Sequence, residues 1–261
     1  MKKLLLAFQF LTIIPVKDTG IVSDREVGGS AAFFPLIGIV QGALLVCAAA
    51  TLLRIFPIGL TNLLVMLLLV ITNGALHLDG LADTFDAIAS RGDRQKKLAI
   101  MKDSTIGPAG VIAIVFVLML KYLLLNEAYS SSTPATYYLI LFLLPIYSRW
   151  AMVPAIFHCR SARADGLGKA FIENVGVKEL LTATALSLIF SLLAVFVIFH
   201  KPDLAHVAFS LPALYIFSLI TVWFCGRRFG GMTGDTFGAV SELSEILFLM
   251  MAVICLRNFT S

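Results

Sequence analysis

Seven stretches of the chain are apolar for roughly 20 residues each, the length that an α-helix needs to cross a bilayer core about 30 Å thick. They lack the two-residue alternation of transmembrane β-strands, so they predict helices. The predicted spans are residues 33–53, 57–76, 107–125, 136–157, 179–200, 204–224 and 237–256. We therefore expect an all-α, polytopic membrane helical bundle with a single domain over residues 1–261.

The composition excludes an ordinary soluble enzyme. Hydrophobic residues make up 59% of the chain and charged residues 14%, against about 45–50% and about 25% in soluble domains. A dispersed net charge of +4 does not indicate nucleic-acid binding. The wide spacing of the four cysteines indicates that they are packing residues rather than disulfide partners or zinc ligands. The apolar start, LLLAFQFLTIIPV, is short for a span and predicts an N-terminal interfacial helix or a packed half-helix.

Basic residues alternate between the connections. Fifteen Lys and Arg lie in residues 1–30, 77–106, 158–178 and 225–236, whereas the other connections and the C-terminus contain three. The positive-inside rule therefore predicts a cytoplasmic N-terminus, an outside C-terminus and long cytoplasmic connections that carry the functional groups.

The connection after the second predicted span contains three aspartates, Asp79, Asp83 and Asp86, spaced i, i+4 and i+7. On a helix they share one face, and no Lys or Arg lies three or four residues away to neutralise them. Such carboxylates suit a Mg²⁺ site. A solvated acidic face is the alternative, but the rest of this helix is apolar. Asp103 is a further candidate, as ligand or N-cap.

Neighbouring His77 has two interpretations, a base or phosphate ligand and a hydrogen-bonded interface histidine.

The last predicted span begins with the glycine-rich segment GGMTGDTFGAVSELSE, residues 230–245. Gly234 permits close backbone approach to a phosphate, and Asp235 supplies an oxygen ligand or a helix cap. Glu242 and Glu245 lie farther into the span, where acids are functional or pair with a cation such as Arg149 or Lys121. In residues 158–174, Arg163 and Lys169 are candidates for phosphate contact, although basic residues there also serve topology.

Together these features indicate a diphosphate substrate bound through Mg²⁺. HLDGLADTFDA (77–87), MKDSTIGPAG (101–110), RADGLGKAFI (163–172) and GGMTGDTFGAVSELSE (230–245) resemble motifs of the cobalamin-5′-phosphate synthase family, the adenosylcobinamide-GDP ribazoletransferases. The resemblance runs the whole length of the chain. It implies transfer of adenosylcobinamide phosphate from adenosylcobinamide-GDP to α-ribazole or its 5′-phosphate, with release of GMP and a requirement for Mg²⁺.

The resemblance also implies roles for individual residues. Asp79, Asp83 and Asp86 would hold the metal, while Asp83, Asp86 and Asp235 would be catalytic, with Asp86 or Asp235 taking a proton. Arg149, Arg163, Lys169 and Gly234 would hold phosphates. The expected partners are both substrates and membrane lipid; nucleic acid is not expected, and a homo-oligomer is left open. The expected location is the inner membrane of a prokaryote, with the site facing the cytoplasm.

Three alternatives remain at this point. The aspartates resemble, more distantly, those of CDP-alcohol phosphotransferases, which supports the reaction type by analogy. A membrane prenyltransferase would use similar acidic motifs on an isoprenoid diphosphate. An ion-coupled transporter is less well supported, because the acids cluster towards one face and no internal repeat is evident.

Overall fold

A computed structural model describes residues 1–16, 20–199 and 205–259. The described residues form helices joined by short connections and contain no β-strand, so the predicted all-α class is confirmed. The helices are α1 (Lys2–Leu11), α2 (Asp24–Ser30), α3 (Phe34–Leu52), α4 (Ile58–Thr72), α5 (Leu76–Ala89), α6 (Arg94–Ile100), α7 (Pro108–Ser130), α8 (Pro134–His158), α9 (Leu167–Asn174), α10 (Val177–Phe199), α11 (Ala205–Phe229) and α12 (Gly234–Phe259).

Six of the seven predicted spans correspond to helices long and apolar enough to cross a membrane: α3, with α2 continuous before it, and α7, α8, α10, α11 and α12. Residues 200 and 204, where two predicted spans end and begin, lie outside the described residues. The predicted span 57–76 differs from the others. Its helix, α4, has 15 residues and meets the length criterion only together with α5.

Between α4 and α5 the chain bends by 86°. Gly74 and Ala75 both have left-handed φ angles, of +58° and +57°, which end α4 and redirect the backbone. Helix α5 therefore does not continue the direction of α4; it packs against α7 and α12 at the end of the bundle where those two helices begin.

The central helix of the bundle is α8, which is almost wholly buried and packs against α3, α10, α11 and α12. Gly38 and Gly42 of α3 face α8; a Cβ at Gly38 would lie 2.5 Å from the carbonyl oxygen of Pro145. Small residues four apart let two helix backbones approach closely, which is a common basis of helix association in membranes.

All four basic connections meet at one end of the molecule. The short helices α1, α2 and α9 pack together there. The backbone of Met232 pairs with that of Arg160 and Ala162, and Gly230 lies against the side chain of Arg94. The four basic connections thus share one end, as the predicted alternation requires, whereas the membrane face that this end occupies stays a prediction.

Candidate functional site

The predicted acidic helix face exists, because Asp79, Asp83 and Asp86 all lie on α5. Gly80, between the first two, lies directly against the first turn of α12: a Cβ there would be 2.5 Å from the carbonyl oxygen of Asp235. The absence of a side chain at Gly80 thus brings the acids of α5 beside Asp235, which lies 156 positions after Asp79 in the sequence.

Asp83 has the electrostatic character of a crowded carboxyl group. Partial burial and the negative charges of Asp79, Asp235 and Asp86 raise its pKa to about 7, while the positive charge of Arg163 opposes this shift. Burial and like charges both disfavour the ionised form. The four carboxyl groups are therefore close enough to repel one another.

Asp86 has a structural partner that its position in the sequence did not indicate. Its Oδ2 accepts a hydrogen bond from the backbone N–H of Gly107 at 2.7 Å, and its Oδ1 accepts one from Gly110 at 2.9 Å. These donors belong to the start of α7, so Asp86 caps that helix from α5. Asp103, predicted as ligand or N-cap, accepts from Thr105 instead, and Gly107 is the N-cap residue of α7. The N-cap interpretation of Asp103 was therefore wrong.

Asp235, in the first turn of α12, is held by two neighbours. Arg163 Nη2 donates to its Oδ2 at 2.9 Å, and the Thr233 hydroxyl donates to the same oxygen at 3.2 Å. The Arg163 Nε is buried and has no hydrogen-bond partner among the described residues. Arg163, predicted to contact phosphate, thus bonds to Asp235, and its Nε–H remains available as a hydrogen-bond donor.

A cavity of about 220 Å³ lies where α5, α9, the start of α12 and the 158–166 connection meet. Gly168 of α9 has no side chain, and a Cβ there would lie 2.7 Å from the backbone nitrogen of Gly234, so the two segments pack closely. Four predicted binding or catalytic residues and one predicted metal ligand line this cavity. The lining residues are Phe10, Leu76, His77, Asp79, Met152, Ser161, Arg163, Asp165, Gly166, Leu167, Gly168, Lys169, Thr233, Gly234, Asp235 and Gly238.

Three predicted site residues lie near this cavity without lining it. Asp83 and Asp86 follow Asp79 along α5, one and two turns on. Arg149, a predicted phosphate ligand, is fully buried one turn from Met152 on α8. Phosphate contact by Arg149 stays a prediction.

Arg149 belongs to a buried ion cluster between α7, α8 and α12. Lys121 Nζ lies 2.5 Å from Glu242 Oε2 and 2.6 Å from Glu245 Oε2, and Arg149 Nη1 lies 3.5 Å from Glu245 Oε1. Two cations and two anions balance. The alternative in which the intramembrane acids pair with cations is therefore confirmed, and the cluster ties the three helices together.

The donor set at the acidic end suits a hard cation, because carboxylate oxygens predominate and their mutual repulsion adds to the burial that raises the pKa of Asp83. In residues 1–16, 20–199 and 205–259, no group of three or more His, Cys, Asp or Glu is arranged to hold a metal ion by itself. A cation there would accordingly need ligands beyond the side chains as they stand. Metal binding by Asp79, Asp83 and Asp86 stays a prediction.

The sequence did not single out several cavity residues, notably Asp165, Ser161 and Phe10. Asp165 precedes Gly166, whose φ of +98° marks a tight turn. The Asp-Gly pair was the available signal for that turn. Nothing in the sequence near Phe10 indicated that α1 contributes to the site, because that depends on tertiary packing.

A family profile described as cobalamin-5-phosphate synthase matches residues 3–253. The chain is 37% identical to the adenosylcobinamide-GDP ribazoletransferase of Geotalea daltonii, over 95% of both chains. It is also 37% identical to the protein of that name from Acetivibrio thermocellus, over 96% of this chain and 97% of the relative. The protein of that name from Thermoanaerobacter pseudethanolicus is 36% identical over 97% of each. No solved structure gives a significant match.

Proposed function

The chain belongs to the cobalamin-5-phosphate synthase family, and from this premise we propose that it joins adenosylcobinamide-GDP to α-ribazole or its 5′-phosphate and releases GMP. The observation that carries the proposal is the whole-length family match, whose shared region includes every residue lining the polar cavity. That cavity combines acidic side chains, which suit a cation, with basic side chains, which suit phosphate groups, as a diphosphate substrate requires.

In the proposed reaction, a ribose hydroxyl of α-ribazole attacks the phosphorus on the cobinamide side of the diphosphate. A new P–O bond forms, the bond to the GMP oxygen breaks, and the hydroxyl proton passes to a base. Asp235 is our candidate for that base, because it lines the cavity. Arg163 and Thr233 both donate to its Oδ2, so these two bonds leave Oδ1 available to accept the proton. Arg163 has a buried Nε with no partner among the described residues, which supports phosphate contact. Lys169, on the same cavity, would add a second positive charge.

We further propose Mg²⁺ as the cofactor, held by Asp79, Asp83 and Asp86. When bound, the ion would neutralise charge that builds on the leaving phosphate. Burial and the neighbouring acids together raise the pKa of Asp83, and the repulsion among these acids supports the assignment, since a bound cation relieves it. Asp86 already accepts two backbone hydrogen bonds, so it would contribute to the ion only through remaining lone pairs.

We place the protein in the inner membrane of a prokaryote, with the cavity facing the cytoplasm. The excess of Lys and Arg at the cavity end supports this orientation.

The test is a reconstituted assay. Purified protein in liposomes, given adenosylcobinamide-GDP, α-ribazole and Mg²⁺, should release GMP and form a cobamide, and chelation of divalent ions should stop the reaction reversibly. Asp79→Asn and Asp83→Asn should each lower the rate by about a hundredfold or more. Asp93→Asn is the matched control: Asp93 caps α6 outside the cavity, and Asn caps a helix equally well.

Release of pyrophosphate from an isoprenoid diphosphate, without GMP release from adenosylcobinamide-GDP, would contradict the proposed function. Full activity in Asp83→Asn would instead contradict the metal assignment alone.

A further inference from the structure

One polar side chain on the cavity wall has no task in the reaction described so far. His77, in the first turn of α5, lines the cavity beside Asp79 and is 2% exposed. The helix α12 packs directly on it: a Cβ at Gly238 would lie 3.0 Å from the His77 carbonyl oxygen. The backbone of His77 therefore lies directly against α12, and its side chain is buried at the edge of the cavity.

Both ring nitrogens of His77, Nδ1 and Nε2, are buried and have no hydrogen-bond partner among the described residues. The described residues thus supply no partner for a hydrogen-bonded interface histidine, and that interpretation of His77 stays a prediction. A neutral imidazole always carries one N–H donor and one acceptor. Enclosing both without partners costs free energy, and a phenylalanine would fill a similar space without that cost.

Such a group calls for a partner that residues 1–16, 20–199 and 205–259 do not supply. Two kinds of partner fit the surroundings. One is a ligand in the adjoining cavity, where Arg163 and Lys169 also present donors. The other is a buried water that joins His77 to the ion cluster, since Arg149 and Lys121 lie close enough to act on it electrostatically and Arg149 Nε and Nη2 also have no partner among the described residues.

We propose that a ring N–H of His77 donates a hydrogen bond to an oxygen of the bound substrate, either a phosphate oxygen or a ribose hydroxyl oxygen. The proposal rests on the function proposed above and deepens it. The cavity favours a ligand over a structural water because it is the polar space that His77 borders and because it already gathers charged groups of both signs. A phosphate oxygen and a hydroxyl oxygen would both accept a hydrogen bond from this N–H. The experiment therefore measures the binding of the nucleotide and of α-ribazole separately.

The experiment compares the full-length protein with His77→Phe in detergent. Thermal unfolding is measured for the free proteins, and dissociation constants are measured for GMP, α-ribazole and adenosylcobinamide-GDP. Removing an unpaired buried polar group should leave the unfolding temperature of the free protein unchanged or raise it. Binding of at least one ligand should weaken about tenfold, the loss of one hydrogen bond. Weakened GMP binding would indicate a phosphate or ribose oxygen of the nucleotide, and weakened α-ribazole binding the acceptor substrate.

Two conservative variants identify the nitrogen. The amide of His77→Asn reaches about as far as Nδ1 and that of His77→Gln about as far as Nε2, so one of them should restore part of the lost affinity. His158→Phe is the matched control. His158 is exposed, bonds to the Tyr215 hydroxyl at 2.6 Å and lies outside the cavity lining. Its substitution should leave all three dissociation constants unchanged.

If His77→Phe lowers the unfolding temperature and binds every ligand as the wild type does, the histidine belongs to a water-linked structural network and the proposal is overturned. Unchanged stability with unchanged binding overturns it as well. Failure of the wild-type protein to bind adenosylcobinamide-GDP is a different result, because it contradicts the proposed function itself.

Discussion

The crowded carboxyl group of Asp83 leads to a prediction at the residue scale. Its pKa is raised to about 7 by burial and neighbouring acids, whereas an aspartate in the unfolded chain titrates near pH 3.9. Between these values the folded protein holds the proton more firmly than the unfolded chain. Stability should therefore fall as the pH rises from about 4 to about 7 without divalent cations. Thermal unfolding across this range should reveal the decline, and Asp83→Asn should make it shallower.

Asp103→Asn is a suitable control for this titration. Asp103 is exposed, and hydrogen bonds from Thr105 lower its pKa. Its protonation therefore affects stability only below about pH 4, outside the range in which Asp83 titrates. If the unfolding temperature of wild type and of Asp83→Asn depended on pH in the same way, the electrostatic description of the site would be contradicted.

How far the sequence predicts this site depends on how local each contact is. The spacing of Asp79, Asp83 and Asp86 predicted a shared helix, because helical periodicity is a local property. The bonds from Gly107 and Gly110 to Asp86 join residues 21 and 24 positions apart. The bond from Arg163 to Asp235 joins residues 72 positions apart. Such partners are chosen by tertiary packing, which no local pattern encodes.

At the scale of the helix, Gly80 controls how close α5 lies to α12. Gly80→Ala would place a Cβ 2.5 Å from the Asp235 carbonyl oxygen, so the two helices must separate. Because small displacements of reacting groups cost large factors in rate, we expect turnover to fall tenfold or more, measured as GMP release. Gly226→Ala in α11 is the matched control, since a Cβ there meets open space. Alanine favours a helix by up to about 1 kcal/mol, so this control should keep its activity and stability. Equal activity in both variants would show that the close approach is unimportant.

The buried ion cluster gives a second prediction at this scale. Lys121→Met would leave Glu242 and Glu245 enclosed with Arg149 as their nearby cation, and breaking such a buried pair costs about 3–5 kcal/mol. The double variant Lys121→Met/Glu242→Gln leaves one cation and one anion, so it should be more stable than the single variant. Unfolding of both proteins in detergent tests this order. A single variant as stable as the wild type would mean that the cluster does not hold α7 to α12.

The long helices were predictable because about 20 consecutive apolar residues mark them directly. The short helices α2, α6 and α9, of 7, 7 and 8 residues, were not predicted. They are too short for hydropathy to distinguish from a loop. The helix α2 is instead specified by a capping box, in which Ser23 and Glu26 bond reciprocally. The break after α4 was also missed, because it depends on two left-handed residues inside an apolar stretch.

At the scale of the whole molecule, the arrangement of helices turns the charge pattern into a testable topology. The connections that contain the excess Lys and Arg meet at the cavity end, while Arg257 near the end of α12 pairs with Glu127 near the end of α7. Because α7 and α12 both begin at the cavity end, this pair marks the opposite end. The positive-inside rule then predicts a cytoplasmic cavity and an outside C-terminus.

Alkaline phosphatase fused after residue 261 should be active in a bacterial host, and green fluorescent protein at that position should be dark. Fused after residue 174, the fluorescent protein should be bright and the phosphatase inactive. The reverse pattern at both positions would put the cavity outside the cell, where a cytoplasmic nucleotide substrate could not reach it.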